Sequence, residues 1–240
     1  EELIATTGAT KVNLIGHSQG GTTSRYVASV RPDLVASVTS VGSPHFGSPV
    51  GDVIKDSPLE GPALAIGNAV GVFLAALSGD SDQQANAMGS LESIHTAGAL
   101  AFNDQHPQGL REGACQNTPY YNAGSWWWPN WVYDYSVNDG DHEVNGINYY
   151  SWSGTYTPLF DSNVLDPADG LLSVTSLMIG ESNDGLVGRC SSHMGKVIRD
   201  DYTLNHADEI NGMWGLKSLW ASNPVQLYVD HARRLKNAGL

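Results

Sequence analysis

The chain has 240 residues and a formal charge of −13, with 41% hydrophobic and only 15% charged residues. That is apolar enough to fill one α/β domain, which routinely reaches about 250 residues, and too aromatic for a disordered chain. The acidic surplus excludes binding along a nucleic-acid backbone, which needs Lys/Arg stripes; no apolar run of about 18 residues is present to cross a bilayer.

In chain order, residues 1–8 read as the end of a helix stopped at Gly8, with no Met and no signal peptide before it. Residues 11–15 are β-prone and end at Gly16. Residues 19–30 carry helical spacing, which Arg31-Pro32 halts. Residues 34–41 are β-branched and close on Gly42-Ser43-Pro44. Strand, turn, helix and strand with short links predict a parallel sheet with crossover helices. Residues 59–77 follow, uncharged after Glu60, and a helix apolar all round is predicted to be buried. A second helical stretch is expected over 82–103. Residues 117–160 hold five of the seven Trp and seven of the ten Tyr, interleaved with Asn, Asp and Gly, and read as a loop-rich β insertion. Residues 197–204 are again β-prone. The chain closes with a helix capped by Asn223 and started by Pro224, with Arg233, Arg234 and Lys236 near its end.

Chemistry concentrates at Gly16-His17-Ser18-Gln19-Gly20, a G-x-S-x-G with an apolar strand before it and a helix after it. That context predicts a nucleophile elbow, a sharp turn that projects the Ser18 hydroxyl above the sheet edge. Both flanking glycines are expected to be required by strain and close helix–strand packing. The Gln19 N–H falls at a helix N-terminus, where it can donate to a developing oxyanion.

A nucleophilic serine needs a base and an orienting acid, which elbow enzymes supply in the order Ser, acid, His. Of eight His, His17 lies in the elbow itself and His45 follows the second strand too closely to leave room for an acid. His95, His106 and His142 fall in helical or inserted regions, and His231 is on the last helix. His193 and His206 remain, and His206 sits where a strand ends. Asp184, in the turn Asn183-Asp184-Gly185, is the candidate acid. Cys115 and Cys190 are either two buried thiols or one disulfide, the latter implying an oxidising compartment.

The run 12–21, then Gly42-Ser43-Pro44-His45-Phe46-Gly47-Ser48, Tyr150-Ser151-Trp152, Asn183-Asp184-Gly185-Leu186-Val187, Arg189-Cys190-Ser191-Ser192 and the run 205–211 together resemble the secreted bacterial lipases of the Pseudomonas and Burkholderia type. Those are α/β-hydrolases, with a mostly parallel sheet, helices on both faces and a helical lid. The resemblance implies a triad of Ser18, Asp184 and His206, with Gln19 as oxyanion donor, and a Cys115–Cys190 disulfide. It implies a structural Ca²⁺ held by Asp166 and Asp208 with the backbone carbonyls of Gly212 and Leu216. On residue types alone, the two aspartates would be read as caps of a helix and a turn. It further implies secretion to the extracellular space, a lipase-specific foldase chaperone on the way, and ester substrate met at an oil–water surface. In the family, a His-Gly oxyanion motif and further strands precede the elbow. This chain is therefore expected to be one partial α/β-hydrolase domain over 1–240, with a lid region near 59–103.

Three functions follow. A triacylglycerol lipase is the reading that the resemblance supports. A soluble or polymer-directed esterase on the same fold would use the aromatic region as a substrate platform. A non-catalytic carbohydrate-binding module would use the same Trp and Tyr, but leaves the Ser, Asp, His order without a purpose.

Overall fold

The computed structural model describes residues 1–56, 61–78, 94–116 and 120–240. Gly8, left-handed at φ 71°, ends α1 (Glu2–Thr7). There follow β1 (Val12–His17), α2 (Gln19–Val30), β2 (Val35–Val41), α3 (Pro49–Asp56), α4 (Gly61–Ser78) and α5 (Thr96–Gln105). The later elements are β3 (Tyr120–Asn122), β4 (Trp131–Tyr133), β5 (Glu143–Val144), β6 (Ile147–Thr155), α6 (Pro167–Ser176), β7 (Lys196–Thr203) and α7 (Pro224–Asn237). Of the helix expected over 82–103, residues 82–93 lie outside the described residues.

β1 pairs with β2, β2 with β6 and β6 with β7, all parallel, so their carboxyl ends lie at one edge of the sheet. β2 occupies one side of β6; β5, antiparallel, and β7 share the other. Register sets Val38 beside Tyr149 and Thr39 beside Tyr150. Val38, Ile147 and Tyr149 pack with Ala28 of α2. Thr39 Oγ1 instead lies 2.7 Å from His231 Nε2 on α7, and Tyr150 and Trp152 meet the same ring edge-on. Successive strand residues face opposite ways, so α2 covers one face of the sheet and α7 the other. Burial on both faces is why β2 reads as a nearly continuous β-branched run rather than an alternation.

A second core forms beyond the strand ends, where Val50 and Ile54 of α3, Val70 and Phe73 of α4, and Ala168 and Leu172 of α6 meet Leu186, Val187 and Ala207. Here the expectation of all-round burial for the 59–77 helix is corrected. Val70 and Phe73 are buried, but Leu64 and Val72 are 41% and 55% exposed. The helix is apolar on a packed side and apolar on an open side. Among the described residues, no helix is long and apolar enough to cross a membrane.

The aromatic region is corrected too. Residues 147–155 are not insertion but the central strand β6, and Trp152 is 2% exposed. What precedes it is a separate two-stranded hairpin, β3 with β4, whose tip carries Trp126, Trp127 and Trp128 at 87%, 82% and 83% exposure. The hairpin's base is tied down: Tyr135 Oη donates to Asp201 on β7 at 2.9 Å, and Cys115 is bridged to Cys190.

Candidate active site

β1 stops at His17 and α2 starts at Gln19, which leaves Ser18 alone in the turn at φ 54°, ψ −129°. A side chain in that region costs about 1–3 kcal/mol and survives only where its surroundings enforce it. They do so here, because Ser18 N–H donates to Val41 O on β2 at 2.9 Å and Gly21 N–H donates to Ser18 O at 3.1 Å. A Cβ at Gly16 would collide with the Gly20 carbonyl and the Gly21 nitrogen, and one at Gly21 with the Ser43 side chain; at Gly20 it would meet nothing within 4 Å. The requirement for glycine therefore holds at Gly16 and Gly21 and not at Gly20. Gly16→Ala should cost at least about 2 kcal/mol, since backbone cannot give way, whereas Gly20→Ala, in a helical turn, should be neutral or stabilising. Paired thermal melts check this contrast, and equal melting temperatures for the two variants would contradict it.

His206 is brought to the elbow by His17. His17 Nε2–H donates to the His206 carbonyl at 2.9 Å, and the two rings stand 4.5 Å apart. Burial, with the neighbouring His206, drives the His17 imidazole well below its ordinary pKa, so it serves as a neutral donor. His206 Nδ1 lies 2.7 Å from Asp184 Oδ2. A carboxylate can only accept, so Nδ1 carries a proton, and the neutral ring presents its lone pair at Nε2. That Nε2 is buried and has no hydrogen-bond partner among the described residues, the Ser18 hydroxyl included. Asp184 is aimed by its own loop: Oδ1 accepts from Leu186 N–H at 2.8 Å and Val187 N–H at 2.7 Å, and its carbonyl accepts from His206 N–H at 2.8 Å. Tyr156 N–H, just past β6, donates to Asn183 O at 2.7 Å and fixes the acid loop to the sheet edge. The structure thus brings Asp184 and His206 together, and places the Ser18 elbow beside them with Gln19 as the first residue of α2.

Glu209 was missed by sequence reasoning. It is fully buried three residues after His206; Oε1 accepts from Gly154 N–H at 2.6 Å, and Oε2 lies 3.4 Å from His17 Nε2. A Cβ at Gly42 would collide with Glu209 Oε2 and come within 3.0 Å of Asp184 Oδ2, so both carboxyls share the space under Gly42. Burial, reinforced by the charge of Asp184, pushes the Glu209 carboxyl well above its ordinary pKa. Nothing in the sequence marks it, since its burial is tertiary. His45 is excluded from catalysis by its partners, Ser40 Oγ and Arg25 Nη1, each at 2.9 Å. His193, the other candidate base, pairs with Asp200 instead.

Two of the four residues singled out for a metal, Asp166 and Asp208, offer acceptors that fit a hard cation. Asp166 caps α6 with one oxygen, Oδ1, which accepts from Ala168 N–H at 2.8 Å. Its Oδ2, and Oδ1 of Asp208, are buried polar atoms without a hydrogen-bond partner among the described residues. Burial, with the charges of Asp166 and Asp169 behind it, pushes the Asp208 carboxyl up to about 7. Two unsatisfied carboxyl oxygens are donors of the kind that a hard cation such as Ca²⁺ takes. Asp169 Oδ1 accepts from Asn205 at 2.8 Å, which joins the start of α6 to the histidine loop. Gly212 and Leu216 follow in that loop, which Asn211 and Trp214 turn through left-handed φ of 56° and 63°.

A serine elbow at the carboxyl edge of a parallel sheet covered on both faces is the architecture of an α/β-hydrolase. A family model described as the alpha/beta hydrolase fold matches residues 1–187. Over its whole length the chain is 46% identical to a triacylglycerol lipase of Vibrio cholerae, of which it spans 70%. A triacylglycerol lipase of Pseudomonas fragi is 43% identical over 97% of the chain, which spans 75% of that relative. The chain belongs to the bacterial triacylglycerol lipase family within the α/β-hydrolases. Among solved structures, the lipase of Staphylococcus hyicus superposes with a TM-score of 0.52, over 95% of this chain and 71% of its own, at 16% identity. That likeness is one of fold.

Proposed function

We propose that the protein is a triacylglycerol lipase acting through a Ser18–His206–Asp184 triad. The observation that carries the mechanism is the buried, unpartnered Nε2 of His206, with Nδ1 held on Asp184. His206 takes the Ser18 proton as the hydroxyl attacks the ester carbonyl, and returns it to the departing alcohol. Asp184 holds the ring in one tautomer and stabilises the imidazolium. Gln19 N–H, at the positive end of α2, stabilises the tetrahedral oxyanion. Water then takes the place of the alcohol, His206 activates it, and the acyl-enzyme is hydrolysed.

The open apolar side of α4 supports its role as a lid and an oil–water surface as the place of reaction. Leu64 and Val72 are stable against lipid and costly against water. Val72→Asp should therefore lower the rate on emulsified triacylglycerol at least about fivefold, through adsorption, and leave a soluble short-chain ester within about twofold. Phe73, on the packed side, is the wrong position for that test. Equal losses on both substrates would count against the lid. The exposed Trp126, Trp127 and Trp128 favour a second reading, an esterase directed at an insoluble polymer. Saturation kinetics separate the two: a lipase gains activity as substrate passes its solubility limit, and an esterase shows no break there.

Asp166 and Asp208, with the carbonyls of Gly212 and Leu216, would hold a structural Ca²⁺. The ion would supply only charge neutralisation for two buried carboxylates and so fix the loop that carries His206. Chelator should lower the melting temperature of the wild type. Asp208→Ala should match the chelated wild type and lose nothing further to chelator. A wild-type melting temperature unmoved by chelator would remove the ion. Secretion and handling by a foldase belong to the same proposal, supported by the Cys115–Cys190 bridge, which needs an oxidising compartment.

A further inference from the structure

Among the described residues a second fully buried Asp–His pair exists, and it ends on sulfur. His193 is fully buried, and its Nε2 lies 2.8 Å from Asp200 Oδ2. The carboxylate accepts, so Nε2 carries the proton and Nδ1 the lone pair. Nδ1 faces Cys115 Sγ at 3.5 Å. Asp200 is itself fixed from the other side by Arg189. Burial opposes its charge, but His193 and Arg189 together hold its carboxyl below the ordinary range. The ring is thus locked in one tautomer with a base aimed at one sulfur of the bridge.

A ring nitrogen of His193 lies within 4.8 Å of both sulfurs, but among the described residues only Cys115 Sγ is in hydrogen-bonding contact with the imidazole. Cys115 faces His193, with the cations of Arg111 and Arg189 near the ring and neutral His45 beyond it. At Cys190 the polar contact is to the backbone, whose N–H donates to Glu181 Oε2 at 3.0 Å and so brings a carboxyl against that residue. Positive charge and a hydrogen-bonding imidazole stabilise a thiolate, and a carboxylate destabilises one. Both cysteines are only half-buried. In thiol–disulfide exchange the sulfur with the better-stabilised thiolate is the one that leaves.

We propose that the Cys115–Cys190 bridge is a built thiol-exchange site, opened by low-molecular-weight thiols at Cys190 with Cys115 as the leaving thiolate and His193 as its proton acceptor. In the forward step a thiol RSH attacks Cys190 Sγ, and a bond forms between R–S and Cys190. The Cys115–Cys190 bond breaks, and its electron pair stays on Cys115. The proton of RSH ends on His193 Nε2–H/Nδ1–H imidazolium, which pairs with the Cys115 thiolate. In reverse, Cys115 attacks the mixed disulfide on Cys190, and RS⁻ departs with the proton from His193. No oxidant or reductant beyond the thiol is consumed in this step.

The test uses the oxidised, folded protein. It is exposed briefly to reduced glutathione with iodoacetamide present, quenched in acid and mapped by peptide mass. The expected product carries glutathione on Cys190 and the alkyl group on Cys115. His193→Gln keeps an amide where Nε2 meets Asp200 but removes the base at Nδ1, and should open at least tenfold more slowly. If that variant does not fold, the wild-type adduct map decides by itself. Glutathione on Cys115, an even split, or a bridge that opens only once guanidinium has unfolded the chain would overturn the proposal.

Discussion

Replacing Ser18 with alanine should reduce ester hydrolysis by on the order of 10⁴-fold or more, because loss of the nucleophile removes the acyl-enzyme route altogether. The fold should survive, and its survival is itself informative. Ser18 occupies its left-handed turn because the backbone is held to Val41 O and to Gly21 N–H, not because its hydroxyl is bonded. Alanine fits the same turn with the same backbone bonds. The melting temperature should therefore stay near that of the wild type while the turnover number collapses. Retention of more than a few per cent of long-chain ester hydrolysis would remove Ser18 from the mechanism.

The second large effect separates two buried histidines that look alike on paper. His206 and His193 each donate to a buried aspartate, at 2.7 and 2.8 Å respectively. Only His206 stands against the elbow, with its ring 4.5 Å from that of His17. His206→Ala should lose activity on the same scale as Ser18→Ala, and the double variant should be little worse than either single one, since the two groups act as a unit. His193→Gln should keep most of its activity per folded molecule. Measured rates for the two variants in the opposite order would reassign the base.

How far these features were legible in the sequence depends on the range of the interaction behind them. The elbow was readable because strand, turn and helix are contiguous, and each carries its own local signal. The caps at Asn223 and Asp166 were readable for the same reason. β6 was not, although Tyr149-Tyr150-Ser151-Trp152 is strongly β-prone. A strand buried on both faces shows no alternation, and its aromatics merged with those of the hairpin before it. The pairing of Asp184 with His206 came from the order of residues that a serine mechanism needs, joined to a family resemblance; the 2.7 Å contact itself is tertiary. Glu209 and Asp200 lie in runs that were themselves legible, but nothing there marks either side chain as part of a site. Each is an ordinary acid in sequence and becomes distinctive only when the fold buries it beside a histidine. Gly16 and Gly20 look equivalent in the motif, yet only the neighbours that the fold supplies make one of them indispensable.

The most direct measurement is covalent. A long-chain alkyl phosphonate with a good leaving group forms a stable adduct only with a serine whose proton is taken by a positioned base. The protein is incubated with this reagent, digested and mapped, for wild type, Ser18→Ala and His206→Ala. One adduct per chain, on Ser18, with activity lost in proportion to labelling and no adduct in either variant, is the expected result. Labelling at another serine, or complete labelling of Ser18 with ester hydrolysis intact, would contradict the assignment of Ser18 and His206 as nucleophile and base.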